Sequence, residues 1–330
     1  MIDSKKISFA NFNVTVGKNG DPLLKWLDNY ILPALQSSYI RVSNKGKTKY
    51  RFKDVKIEQL DDEFAVTGIL IKDTILEVLT KYEENADELQ ETDEYYKSSP
   101  YSIFIILLRN HRMLLVQNQS GSPDLRTFSA TAIDAIKNYR REYNENIRAT
   151  IDDVEIRKQK CIPYCVLDVK GIKSQESLEE VFSNVKRVNK LRFKLKQRNN
   201  DLDGLENLAD VLEEQVLKRS GAKTVQVTTG SIESVDKAVQ LIEEANDIFD
   251  VDANVEYFSE DINDEGKEVK RKGVIRDDEM SEKTEISVEG TLKNAIHQIF
   301  TKIKGKSSLF VKTPNEEEYN EYLTEREGDV

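Results

Sequence analysis

The sequence predicts an α+β fold in two domains, each a mixed or antiparallel sheet with amphipathic helices packed on it. Three observations lead there. The most apolar run, Tyr101–Gln117, has two short arms, Ile103–Leu108 and Met113–Val116, with Asn110 and His111 between them. β-Branched and aromatic residues dominate the first arm, so the run reads as a hairpin whose strands are buried on both faces. A helix would carry Arg109, Asn110, His111 and Arg112 in its middle, and no helical spacing survives. The rest of the chain is amphipathic and needs such a sheet to cover. Finally, 330 residues exceed the size at which one core stops growing. The polar, charged stretch Asn144–Lys160 marks the boundary. The expected division is 1–150, 151–313 and an acidic tail, 314–330.

Taken in order, Lys6–Val16 alternates, with Ile7, Phe9, Val14 and Val16 among polar neighbours, and reads as a strand closed by a turn at Gly17–Gly20. Asp21 and Pro22 supply an N-cap and a proline at the first helical position. The helix that follows carries Leu24, Leu27, Ile31 and Leu35 at helical spacing, and Pro33 should kink it or end its regular part. Tyr39–Lys81 is strand-rich, with turns at Ser43–Gly46 and Leu60–Glu63. The acidic interruption Glu83–Glu94 reads as a long exposed loop or a poorly ordered insert before the central hairpin. After the central hairpin come a turn at Gly121–Pro123 and a helix from Ser129 to Tyr143 bearing Ile133 and Ile136.

In the second half, Pro163–Val169 is a strand and Ser174 caps a helix bearing Leu178, Val181, Phe182 and Val185. Lys190–Lys196 alternates strictly, with Leu191, Phe193 and Leu195 inward. Asp203–Glu206 is a capping-box start to a helix that stops at Gly221. Val225–Thr229 is a strand, and Ser234 opens the next helix. Strands over Ala253–Phe258 and Lys267–Ile275 flank a turn at Asn263–Gly266. A strand at Thr284–Val288 leads to a last amphipathic helix with Leu292, Ile296, Ile299 and Ile303. The tail from Pro314 is expected to fray or dock weakly.

The bulk numbers narrow the function. A net charge of −11 argues against indiscriminate nucleic-acid binding, though a local basic strip can still act. Two cysteines, Cys161 and Cys165, make no disulfide framework and point to a reducing compartment. The N-terminus lacks an apolar targeting core, and no run approaches the ~18 apolar residues of a membrane span. The expectation is a cytoplasmic chain without membrane contact. With His111 and His297 the only histidines, histidine acid–base chemistry is out of easy reach, which favours binding over catalysis.

Several constellations carry residue types suited to chemistry. A zinc site would need both cysteines and both histidines to converge from three regions, so the thiols read as buried and no cofactor is expected. Asp261, Asn263 and Glu265 imitate the start of a calcium loop, but Lys272 stands where its bidentate glutamate belongs. Thr228–Ser231 sits between a strand and a helix, where backbone amides can hold an anion; a helix cap is the plain alternative. Asp168 and Lys170, two apart on a strand, share a face. With Asp153 upstream they form the alternative of a Mg²⁺-dependent nuclease, in which two carboxylates hold a cation and the lysine stands by the attacking water.

The richest clue is basic. Lys186, Arg187, Lys190, Arg192, Lys194, Lys196 and Arg198 gather inside an acidic protein. On the alternating strand, Lys190, Arg192, Lys194 and Lys196 line one face at about 7 Å intervals, close to the spacing of successive phosphates. The plain alternative is a solvated face paired with neighbouring acidic helices.

The segment from Leu178 to Phe249 resembles a group of uncharacterised bacterial proteins carried on mobile elements and near phage-defence genes. The likeness lies in Val188-Asn-Lys-Leu-Arg-Phe-Lys-Leu-Lys, the polar Asn199-Asn200-Asp201 after it, and the helix and short strand that follow. Members tend to carry Pro-Asn-x-Asp after the strand, where this chain has Arg198-Asn199-Asn200-Asp201. The resemblance implies a setting in prokaryotic antiviral defence. The expected function is therefore a non-enzymatic component of a defence system that contacts nucleic acid or a partner protein through the basic strand face. Beside it stand the nuclease and a structural or assembly protein, and each is compatible with an oligomer.

Overall fold

A computed structural model of the chain describes residues 4–43, 46–83, 88–196, 212, 216–217, 219–220, 222, 224–245, 249–258, 271–287, 292–304 and 316–328. Among them stand two antiparallel sheets with helices, an α+β fold. The expected helix over 203–221 falls largely outside the described residues, and the turn at 263–266 does so wholly.

The large sheet is built around β1 (Ser4–Val16) and the hairpin of β6 (Tyr101–Leu107) and β7 (Arg112–Gln117). It continues through β4 (Glu63–Glu83) and β3 (Thr48–Leu60) to the short β2 (Arg41–Ser43). The hairpin occupies the middle, buried on both faces as its apolar arms dictate. Alternation along the strands sorts the core into two layers. Phe12, Phe52 and Phe104 pack with Phe128 under one set of helices, their rings edge to face at 5.2–6.3 Å. Ile7, Phe9, Ile105, Leu114 and Val116 face the other way, against a late helix.

The first layer is covered by α1 (Leu23–Trp26), a π turn (Leu27–Ile31), α2 (Leu32–Gln36) and α3 (Leu125–Thr150). Pro33 does not end this run, which continues to Gln36 with the proline in its last segment's first turn. The π turn shifts the hydrogen bonding by one residue just before the proline, with the Leu32 N–H donating to the Leu27 carbonyl. Asp21 caps nothing; its carboxylate accepts from Lys25 Nζ (2.9 Å) and Trp26 Nε1 (3.2 Å). Helix α3 runs well past Tyr143, and the stretch expected as a boundary is helical, continuing into α4 (Val154–Lys160). Asn144 holds it in place: its Oδ1 accepts from the Ile162 N–H (2.8 Å) while its Nδ2 donates to the Ile162 carbonyl (2.9 Å).

Two acidic stretches are also more ordered than expected. In place of a loop, β4 extends to pair with β5 (Glu88–Ser98), from Thr74↔Ser98 to Glu83↔Glu88. The tail forms a helix, Glu316–Gly328, whose Tyr319 and Tyr322 sink into the first core layer. Arg109 lies over the Tyr319 ring at 4.7 Å and bonds Glu63 and Glu316. Three residues with apolar bodies at helical spacing, Tyr319, Tyr322 and Leu323, suffice to seat a helix that is otherwise charged.

Sheet membership does not divide at residue 150. Strand β8 (Cys165–Gly171) pairs with β1 from Ala10 to Val16, and a late strand, Lys283–Ser287, pairs with β1 from Ser4 to Ser8. The two lie end to end on one edge, and helix Leu292–Ile303 covers the second core layer. The small sheet is built from the chain between them. Its strands are β9 (Val185–Lys196), β10 (Thr224–Gly230), β11 (Asp250–Tyr257) and β12 (Arg271–Ile275), in the order β10-β9-β11-β12. Helix α5 (Gln175–Phe182), with its Ser174 capping box, and α6 (Val235–Glu244), capped by Ser234, pack on one face. Their Leu178, Phe182, Ala238 and Ile242 meet Leu191, Leu195, Val251 and Ala253.

Candidate functional site

Because α5 and α6 lie on one face of the small sheet, the other face carries its polar alternation outward. Lys190, Arg192 and Lys194 are exposed there on β9. A bulge between Lys190 and Val188 re-phases the strand, so Val188 returns to the core and Arg187 is exposed beside Lys186. Lys196 ends the strand in register with Thr224, and Arg198 lies outside the described residues. Four of the seven predicted cations therefore share the open face as one column: Arg187, Lys190, Arg192 and Lys194.

The neighbouring strands give the column two unlike sides. On β10 the partners are uncharged, with Gly230 level with Lys190, Thr228 with Arg192 and Gln226 with Lys194. On β11 they are mostly acidic, with Glu256 level with Arg187, Asn254 with Lys190, Asp252 with Arg192 and Asp250 with Lys194. Arg192 Nη1 is 3.9 Å from Asp252 Oδ2, and both side chains are about two-fifths exposed, at 43% and 41%. Such a contact in water contributes little. The acids beside the strip thus come from the adjoining strand and not from neighbouring helices. The spacing of Asp250, Asp252, Asn254 and Glu256 is visible in the sequence, but the register that brings them beside the cations is not.

At the Lys194 end the face meets an ionic seam between the two sheets. Lys170 Nζ lies 3.3 Å from Asp168 Oδ2 and 3.7 Å from Asp250 Oδ1. Asp168 and Lys170 do share a face of β8, opposite Asn13 and Asn11 of β1, but they are buried. Nearby, the fully buried Lys173 side chain bonds Asp277 at 2.8 Å, and the Val251 N–H donates to the same carboxylate oxygen at 2.7 Å. Burial pushes the Asp277 carboxyl up, while Lys173 pulls it down. Across the seam Glu282 N–H donates to the Ile172 carbonyl (2.6 Å) and Ile172 N–H to the Phe9 carbonyl (2.9 Å). A Cβ on Gly171 would stand 2.3 Å from the Ser281 Cβ, so only glycine allows the two connecting segments to touch.

Of the nuclease constellation, Asp168 and Lys170 lie together on β8. Asp153 caps α4, accepting from the Glu155 and Ile156 N–H groups at 2.8 and 3.0 Å, and is exposed. Lys170's second carboxylate is Asp250. Among the described residues no three His, Cys, Asp or Glu side chains are grouped so as to hold a metal ion. Cys161 and Cys165 are free thiols, and burial pushes Cys165 up to about 12. At Thr228–Ser231, the Ser231 and Ile232 amides are taken by the Asn189 and Val188 carbonyls, and the cap of the following helix is Ser234. His111 adopts a left-handed conformation (φ 53°) between β6 and β7, and desolvation lowers its imidazole to about 4. On the opposite side of the small sheet, a groove of about 450 Å³ separates α5 from α6, floored by Phe182, Val185, Val235 and Val239 and rimmed by Glu179 and Glu243.

Among the described residues no helix is long and apolar enough to cross a membrane. Comparison with protein-family models, with curated proteins and with solved structures found no match to the chain.

Proposed function

We propose that the chain is a non-enzymatic binding protein that holds a nucleic-acid phosphate backbone on the open face of its small sheet, in the defence setting the resemblance implies. The observation that carries this reading is the column of exposed Lys190, Arg192 and Lys194, bordered on its β10 side by Gly230, Thr228 and Gln226. A backbone laid along β9 on that side meets cations at phosphate spacing and hydroxyl or amide donors next to them. The acids on β11 form a wall that confines the polyanion to the β9–β10 side, and the acidic balance of the chain repels it elsewhere.

The test is binding of a labelled DNA duplex at low salt. Arg192→Glu with Lys194→Glu should abolish binding, whereas Lys49→Glu with Lys53→Glu, exposed strand cations of the large sheet, should weaken it only modestly. With three phosphate contacts, log affinity should fall against log salt with a slope of about −3. Equal losses in the two variants, or no binding at low salt, would overturn the phosphate reading.

A second reading has its own observation. Three of the four acids and amides facing the strip on β11 are carboxylates in register with cations. A face with both signs in ordered columns suits a protein partner carrying the complementary order.

A further inference from the structure

The open face is complementary to itself, and we infer that the partner it takes is a second copy of this chain. This rests on the partner-binding reading of the face. The rows run across four strands. One row reads Gly230, Lys190, Asn254, Val274; the next reads Thr228, Arg192, Asp252; another reads Arg187, Glu256, Lys272.

Consider two such faces packed as sheets ~10 Å apart with strands within about 30° of one another. A two-fold axis parallel to the strands, level with the gap between β9 and β11, keeps every row at its own height and exchanges the columns. Arg192 then meets Asp252 of the second copy, and Arg187 meets Glu256, each twice by symmetry. Lys190 meets Asn254. The outer columns exchange as well, so Val274, half-exposed at 51%, meets Gly230, around which an added Cβ would touch nothing. Charge, hydrogen-bonding capacity and shape thus agree row by row, which a strip of one sign would not provide. Pairing of this kind covers the phosphate-binding column, so self-association and polyanion binding compete for one surface.

Two charge-reversed chains test this. The first carries Arg187→Glu and Arg192→Glu, making those two rows acidic in both columns; the second carries Asp252→Lys and Glu256→Lys, making the same rows basic in both. In sedimentation across a dilution series, the unmodified chain should dimerise and each variant alone should remain monomeric, with association weakened at least ~10-fold. An equimolar mixture of the variants should form a one-to-one dimer, because opposite columns then meet again. Adding duplex should dissociate the unmodified dimer. A monomeric unmodified chain, or a mixture that fails to pair while the unmodified chain dimerises, would overturn the inference. Duplex binding by the separate variants reads the face itself: loss in the first and gain in the second with no self-association refutes only the second copy. No change in either assembly or duplex binding refutes the face as a binding surface altogether. Melting midpoints of both variants equal to that of the unmodified chain diluted to monomer establish that folding is not what moved.

Discussion

The two sheets share antiparallel construction and differ in how they are covered. The large one has helices against both faces around its middle strands, and its central residues Phe9, Phe104, Ile105 and Leu115 are wholly buried. Among the described residues the small one has helices on a single face and turns a lattice of charges toward solvent. A sheet covered twice is committed to stability, since each side chain has a neighbour to satisfy. A sheet covered once keeps a surface whose side chains are free to answer to something outside the fold. The same residue type therefore means different things in the two places. Lys173 is sealed in the seam against Asp277, while Lys194 stands on the open face.

The sharpest way to break this contrast is to place a charge in each sheet. Ile105→Asp should unfold the large sheet, at several kcal/mol for an unpaired buried carboxylate, whereas Val274→Asp on the open face should leave the thermal midpoint nearly unchanged. A cooperative, unshifted melt of the Ile105 variant would show that the central hairpin does not hold the core. Next in size is the seam: Lys173→Met strands the buried Asp277 carboxylate and should cost roughly 3–5 kcal/mol, against within about 0.5 kcal/mol for Lys194→Met. Urea titration of the two variants measures the difference.

A pH titration sharpens the contrast further. The folded chain keeps the His111 imidazole neutral down to about 4, whereas its ordinary value is 6.5. Below pH 6.5 the unfolded chain takes up a proton that the folded one refuses. Stability from this residue is thus fully present above pH 6.5 and lost as pH falls toward 4, by at most about 3–4 kcal/mol. His111→Asn keeps a residue tolerant of positive φ and should remove that part of the slope. Smallest is Gly171→Ala, whose methyl group collides with Ser281. A loss of about 1–3 kcal/mol is expected, largely recovered with Ser281→Gly, in calorimetry of the single and double variants.

Most local elements were legible because their causes are local. Ser174 and Ser234 cap helices, Gly17 and Gly20 turn the chain at positive φ, and the apolar arms of the central hairpin alternate into two cores. The acidic segments misled because charge density outweighed everything else in them. Pairing with the preceding strand β4 decides the first, and the seating of Tyr319 in a core built far away in sequence decides the second. At the candidate site the cations and their alternation were readable from one strand. The acids opposite them, and the Lys170–Asp250 and Lys173–Asp277 links, depend on register between segments about sixty to a hundred residues apart, which no periodicity encodes.

The end-to-end seating of β8 and Lys283–Ser287 along β1 has a consequence for how this chain can change. Where the path leaves the large sheet at Ile172 and returns at Glu282, the two backbones are already hydrogen-bonded to one another. The exit and the entrance form a single socket. What is plugged into it can be lengthened, exchanged or removed without re-threading any strand of the larger body, because closing a longer or shorter excursion changes the entropy only logarithmically. The small sheet is, in that sense, a cartridge: the larger body supplies the mount, and the inserted sheet is the interchangeable part.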